Sequence, residues 1–185
     1  HPGFINPVVD NVKGALAEFT DEERGQVHVA FTAHSIPMGM AKHSDYEVQL
    51  KEACRIVADQ LALEDYALVY QSRSGPPHIP WLDPDILDHM DELAEQGTKN
   101  LIIMPIGFVS DHMEVMFDLD TEAVEKAEEL GMKMVRAATV GTAEPFVRMI
   151  RELIQERMAA EPDRKVVGER PPNHDVCPVN CCLPR

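Results

Sequence analysis

Apolar positions along the chain come in two kinds of run, short unbroken ones and longer ones with helical spacing. In residues 4–19 the apolar side chains are Phe4, Ile5, Val8, Val9, Val12, Ala15, Leu16 and Phe19, a spacing that predicts an amphipathic helix. A polar turn over 20–23 leads to a predicted strand at 27–32, which runs out into Ala33-His34-Ser35-Ile36-Pro37, where the proline stops regular structure. A loop is expected over 38–44, a helix over 45–61 and a strand over 66–71. Residues 72–80, rich in Ser, Gly and Pro, predict a loop. Asp83-Pro84 predicts the start of a helix to about residue 96, with Pro in its first turn. A strand follows at 101–104, then a helix over 114–130 with Asp111 as its cap, a strand over 133–137 and a helix over 143–158. From residue 159 the chain is Pro-rich and charged.

Strands alternating with longer helices predict an α/β fold, a three-layer domain around a parallel sheet of roughly four strands, Rossmann-like or flavodoxin-like in plan. The 185 residues suit one domain over 1–158 and a tail over 159–185. Sheets of this kind bind ligands beyond the carboxyl ends of their strands. Three unusual segments are expected there: 34–37, 72–80 and 107–114. The sequence contains no Gly-rich phosphate fingerprint, which argues against a nucleotide site.

Charge narrows the partners. With 32 acidic against 17 basic residues the net charge is −15, which argues against nucleic acid, since binding its backbone needs a basic face. The sequence has no run of transmembrane length and no signal-peptide pattern, so a soluble, cytoplasmic protein without an integral membrane segment is expected. The first residue is His1 and not Met, which predicts a fragment or a processed product. Of the four cysteines, Cys54 stands alone within a predicted helix, as a buried apolar residue would. Cys177, Cys181 and Cys182 fall within six residues, a clustering that points to metal or cluster ligation or to free thiols, not to a disulfide framework.

Candidate chemistry gathers at the loops. His34 follows a strand directly, as a catalytic base or a structural hydrogen-bonder would. Glu114, Asp118 and Glu122 repeat at four-residue intervals on one predicted helix. Stacked like charges cost a helix stability, so the ladder is either a solvated face or a set of ligands and outer acceptors for a divalent cation. His112 is placed to orient Glu114 or to cap the helix. Trp81, the single Trp, suits core or a flat surface for an aromatic ligand. Arg73 is a carboxylate anchor or a turn hydrogen-bonder.

Four segments together carry a resemblance: Phe31-Thr32-Ala33-His34-Ser35-Ile36-Pro37, Tyr70-Gln71-Ser72-Arg73-Ser74-Gly75-Pro76-Pro77, Pro80-Trp81-Leu82, and Pro105-Ile106-Gly107-Phe108-Val109-Ser110-Asp111-His112-Met113-Glu114. In order and spacing over about residues 1–158 they resemble the ferrochelatase family, and in particular its actinobacterial coproporphyrin III ferrochelatases. The resemblance covers the C-terminal half of that family's chain. It implies insertion of Fe²⁺ into a porphyrin, coproporphyrin III or protoporphyrin IX, in haem biosynthesis. It also implies a missing N-terminal half as partner, without which this chain is expected to be inactive. His34 and Glu114 would be the catalytic pair and the inner metal ligands, with Asp118 and Glu122 as outer carboxylates for the incoming ion or a hydrated Mg²⁺. Ser35, Arg73, Trp81 and His112 would contact substrate. Cys177, Cys181 and Cys182 resemble the extension that holds a [2Fe–2S] cluster in some ferrochelatases. Two alternatives remain from other classes: a stand-alone homodimeric small tetrapyrrole chelatase, and a non-catalytic iron–sulfur binding or interaction module.

Overall fold

The structure, a computed structural model, describes residues 1–177 and 179. Cys181 and Cys182 lie outside the described residues. In chain order the elements are α1 (Pro2–Ala17), α2 (Asp21–Arg24), β1 (Val27–His34), α3 (Met38–Ala41), α4 (Tyr46–Leu61), β2 (Tyr66–Gln71), α5 (Ile86–Glu95), β3 (Asn100–Met104), α6 (Met113–Phe117), a π-helical turn (Asp118–Glu122), α7 (Ala123–Leu130), β4 (Lys133–Arg136) and α8 (Glu144–Met158). The strands form one four-stranded sheet in the order β2-β1-β3-β4, and every pairing is parallel.

All five residues of β3 and seven of the eight in β1 are buried, as expected of central strands covered on both faces. One face, with Val29, Phe31, Ala33, Ile102 and Met104, packs on Val8, Val12 and Val57 of α1 and α4. The other, with Ala30, Leu101 and Ile103, packs on Met90 of α5, Val115 of α6, Leu119 of the π turn and Ala127 of α7. Helix α8 lies against α1. The predicted three-layer α/β fold is therefore the one observed.

Four local expectations are corrected. The polar turn over 20–23 is the start of a short helix, Asp21–Arg24, which Thr20 and Glu23 close with reciprocal cap bonds. Residues 38–44 are not all loop, because Met38–Ala41 closes a short helix. Pro84 does not open α5: the helix begins two residues later, where the Asp85 carboxylate accepts from the Leu87 amide at 2.9 Å. The single helix expected over 114–130 is three pieces, with the Ala123 amide bonding back five residues to the Asp118 carbonyl. The physical reason lies in the stripe Val115, Leu119, Ala123 and Ala127, all buried. Steps of four overshoot an α-helical turn by about 40° each. A π turn takes an extra residue into its ring, which absorbs that overshoot and keeps Leu119 and Ala123 in the core.

Candidate functional site

Strands β1 and β2 lie on one side of the point where the chain reverses its direction across the sheet, and β3 and β4 on the other. In sheets of this order the binding crevice is expected between the carboxyl ends of the strands that flank that point, here β1 and β3. His34 closes β1, and the segment after β3 leads to Glu114. Gly107 lets that segment cross β1 at close range. Its amide donates to Thr32 O at 3.0 Å, and a Cβ there would lie 2.6 Å from the Ala33 Cβ.

His34 is held from several directions. The Tyr46 hydroxyl donates to its carbonyl at 2.9 Å. Its Nδ1 bonds to the Ser35 carbonyl. A carbonyl has no proton to give, so Nδ1 carries a hydrogen, and in the neutral imidazole the lone pair is then on Nε2. That Nε2 faces Glu114 Oε2 at 3.9 Å, with side chains 34% and 55% exposed. Two basic groups thus flank one opening, too far apart to hydrogen-bond each other and free to act on a third body.

Four and eight residues on from Glu114 in the chain, Asp118 and Glu122 line a recess of about 200 Å³ together with Gln71, Ser72, Arg73 and Asp85 among others. Asp118 Oδ2 accepts from Gln71 Nε2 at 3.1 Å and from the Ser72 hydroxyl. Ser72 adopts a φ of +61° to do so, and Gln71 Oε1 is buried without a partner among the described residues. Asp85 is half-buried. Burial pushes its carboxyl above the ordinary range, the Asp88 and Asp118 charges push the same way, and its bond from Leu87 offsets part of this. Among the described residues no three His, Cys, Asp or Glu side chains converge on one point. Asp85, Asp118 and Glu122 line the recess.

The other predicted residues fall around this core. Ser35 is buried, and its hydroxyl donates to Leu82 O at 2.7 Å, which ties the end of β1 to the Trp81 segment. Met38 and Leu82 extend that tie through backbone bonds to Pro80 and Ile36. Trp81 is partly exposed, with Gly75 against its indole and no partner for its Nε1 among the described residues. Arg73 bonds within its own loop, to the carbonyls of Pro77 and Ile79 at 3.4 and 3.3 Å. His112 is the N-cap of α6 without a side-chain cap bond, and its ring meets Phe108 edge-on. Asp111, expected to cap that helix, instead receives Arg136. Val109, Met113, Met116 and Phe117 are exposed beside Glu114.

Gln71, Ser72 and Asp85 line the recess, and the sequence motifs do not single them out as site residues. The available signal was Gln71, a polar residue ending an otherwise apolar strand. Cys54 is 1% exposed, and burial pushes its thiol up to about 12. It therefore does not fit as the fourth thiolate of a tail cluster, which needs four. Cys177 is exposed and has no disulfide partner among the described residues.

The chain matches the family model "Ferrochelatase" over residues 1–158. A ferrochelatase of Rhodopirellula baltica is 53% identical over 184 residues, covering 99% of this chain and 52% of that protein. Coproporphyrin III ferrochelatases of Streptomyces griseus and Frankia alni are 45% and 41% identical, each covering 100% of this chain and 54% and 50% of their own. A solved structure described as a putative cobalamin (vitamin B12) biosynthesis CbiX protein from Marinobacter aquaeolei aligns with a TM-score of 0.47 at 15% identity, over 71% of this chain and 97% of that one. The chain spans about half the length of the curated relatives it matches. With the family model covering the whole α/β domain and its motifs meeting at the β1/β3 crevice, the chain belongs to the ferrochelatase family.

Proposed function

We propose that this chain is one wall of a ferrochelatase active site that inserts Fe²⁺ into coproporphyrin III or protoporphyrin IX in haem biosynthesis. The observation that carries the reading is the His34 Nε2 and Glu114 carboxylate facing each other at 3.9 Å across the strand-end crevice. Metallation replaces two pyrrole protons by one dication, and the site offers two bases to take them. The His34 tautomer leaves the lone pair of Nε2 towards the crevice, where it accepts a proton or meets the metal. Glu114 supplies the second acceptor. Exposed Met113, Met116 and Phe117 beside it offer apolar surface for a flat macrocycle. Trp81 adds a further aromatic face, with Ser35 acting through its tie to Leu82, and Arg73 and His112 stand at the rim as polar substrate contacts.

The metal's route is the acidic recess. Asp118 and Glu122 hold a hydrated dication, Fe²⁺ in passage or Mg²⁺, through its water shell, and Glu114 receives the substrate iron from there. The opposite wall of the cleft comes from the half of the family's length that this chain does not match. Residues 1–158 act as the catalytic-half domain and 159–185 as a separate tail. In that tail Cys177, Cys181 and Cys182 supply three thiolates of a [2Fe–2S] cluster, with the fourth from outside this chain because Cys54 is unfit. The Cys54 thiol, without a disulfide partner among the described residues, suits a reducing, cytoplasmic compartment.

The test is the visible spectrum and fluorescence of coproporphyrin III with Fe²⁺, mixed anaerobically with the two-half enzyme or with this chain alone. The two-half enzyme should quench the porphyrin fluorescence by metallation, and His34→Ala should abolish it. Full activity of the His34→Ala variant would overturn the assignment. Metallation by this chain alone, running as a dimer, would favour the homodimeric chelatase. A colourless two-half protein free of iron and sulfide would remove the cluster.

A further inference from the structure

Arg136 is the last residue of β4, and its backbone is fixed by pairing with Ile103 of β3. From that post the guanidinium, 18% exposed, reaches two separate segments. Its Nε and Nη2 take both carboxylate oxygens of Asp120, in the middle of the π turn, the second at 3.0 Å. Its Nη1 donates to Asp111 Oδ1 at 3.1 Å, in the loop before α6. A two-pronged guanidinium–carboxylate bond fixes direction as well as distance. The five-residue helix α6, which carries Glu114, is thereby clamped at both ends to a rigid strand. Asp120 lies between Asp118 and Glu122 in the chain. Holding it therefore holds the turn from which those two carboxylates enter the recess.

We propose that Arg136 is the positioning residue of the site: through Asp120 it sets the metal-side carboxylates Asp118 and Glu122, and through Asp111 it sets Glu114. The catalytic part of this inference rests on the ferrochelatase reading above. A π turn is a less favourable hydrogen-bond ring than an α turn and persists where something holds it. Gln71 and Ser72 pull Asp118 from the sheet side, and Arg136 pulls Asp120 from β4. Lysine at position 136 would keep the charge but not reach both carboxylates in a fork.

Two measurements test it. The first is independent of any reaction: amide hydrogen exchange of this chain. Arg136→Met should speed exchange of amides 111–122 several-fold and leave β1, β3 and α1 as they are, and Arg136→Lys should restore one prong only. Unchanged exchange over 111–122 overturns the proposal. The second uses the two-half enzyme. Asp120→Ala should raise the KM for Fe²⁺ by roughly tenfold, the low end of what loss of an outer partner costs a metal site, with kcat little changed. Asp111→Ala should lower kcat with KM for Fe²⁺ held, and Arg136→Met should do both. A uniform fall in kcat that tracks the folded fraction, with KM unmoved, would make Arg136 a stability element only and also overturn the proposal. A wild-type enzyme that inserts no iron would overturn the ferrochelatase reading, while the exchange result would still decide whether Arg136 positions the segment.

Discussion

Glu114 and the pair Asp118 and Glu122 share a four-residue spacing but meet different surroundings. Glu114 faces His34, whereas Asp118 and Glu122 line the recess with Asp85. In the two-half enzyme Asp118→Asn with Glu122→Gln should therefore slow insertion chiefly at limiting Fe²⁺. Glu114→Gln should lower turnover even at saturating metal. Initial rates against Fe²⁺ concentration separate the two, and an outer double variant equal to wild type at limiting metal would leave those acids as a solvated face. Cys54 gives a second expectation at this scale. A thiol pushed up to about 12 by burial carries almost no thiolate at neutral pH. Iodoacetamide should leave Cys54 unlabelled in the native protein and modify it after unfolding, as peptide mapping would show.

Two elements respond to single changes for different reasons. The crossing of β1 by the segment after β3 depends on the missing side chain of Gly107. Gly107→Ala would press a methyl against Ala33 at 2.6 Å and its Cα at 2.8 Å. It should cost about 1–3 kcal/mol in denaturant unfolding and move Glu114 away from His34. Helix α5 carries Asp85 at its start, where burial holds the carboxyl above its ordinary 3.8. The folded form then binds that proton more tightly than the unfolded chain does. Its stabilising share is complete below the ordinary value and is lost as pH rises through the raised one. Asp85→Asn, which can still accept from Leu87, should flatten that decline in thermal melts taken between pH 4 and 7. An unchanged slope would remove Asp85 as its source.

Over the whole molecule, the sheet's two ends carry opposite chemistry. At the end away from His34, His28 is 4% exposed, its Nδ1 meets Asp65 at 2.8 Å, and its Nε2 lies 3.1 Å from His89 Nε2. Burial, and then the neighbouring His28, lower the His89 imidazole below its ordinary 6.5, against an upward pull from Glu92 and Asp65. The neutral form belongs to the folded state, so this contribution is present above 6.5 and is lost as pH falls through the lowered value. His89→Asn should reduce the acid-side loss of Tm in a pH series, and an identical acid limb would show that the pair is not its source. Among the described residues no helix is long and apolar enough to cross a membrane, and the exposed apolar surface of α6 lies beside the crevice.

Periodicity by itself determined the strands, the long helices and the α/β class, because strands buried on both faces and helices buried on one leave different spacings in the chain. It also placed His34 and Glu114 past strand ends, which is enough to bring them to one edge of any parallel sheet. The break in the ladder helix was present as two interleaved four-residue repeats, but an α-helix with a drifting face has the same pattern, and only packing on the sheet chooses between them. The strand order β2-β1-β3-β4 was not legible, since it depends on which face each crossover helix buries. That order decides that the β1 and β3 ends are neighbours, that Gln71 and Ser72 reach Asp118 across 46 or more residues, and that Arg136 rather than the helix receives Asp111. Contacts between residues distant in sequence leave no local period, so the tertiary structure alone fixes them.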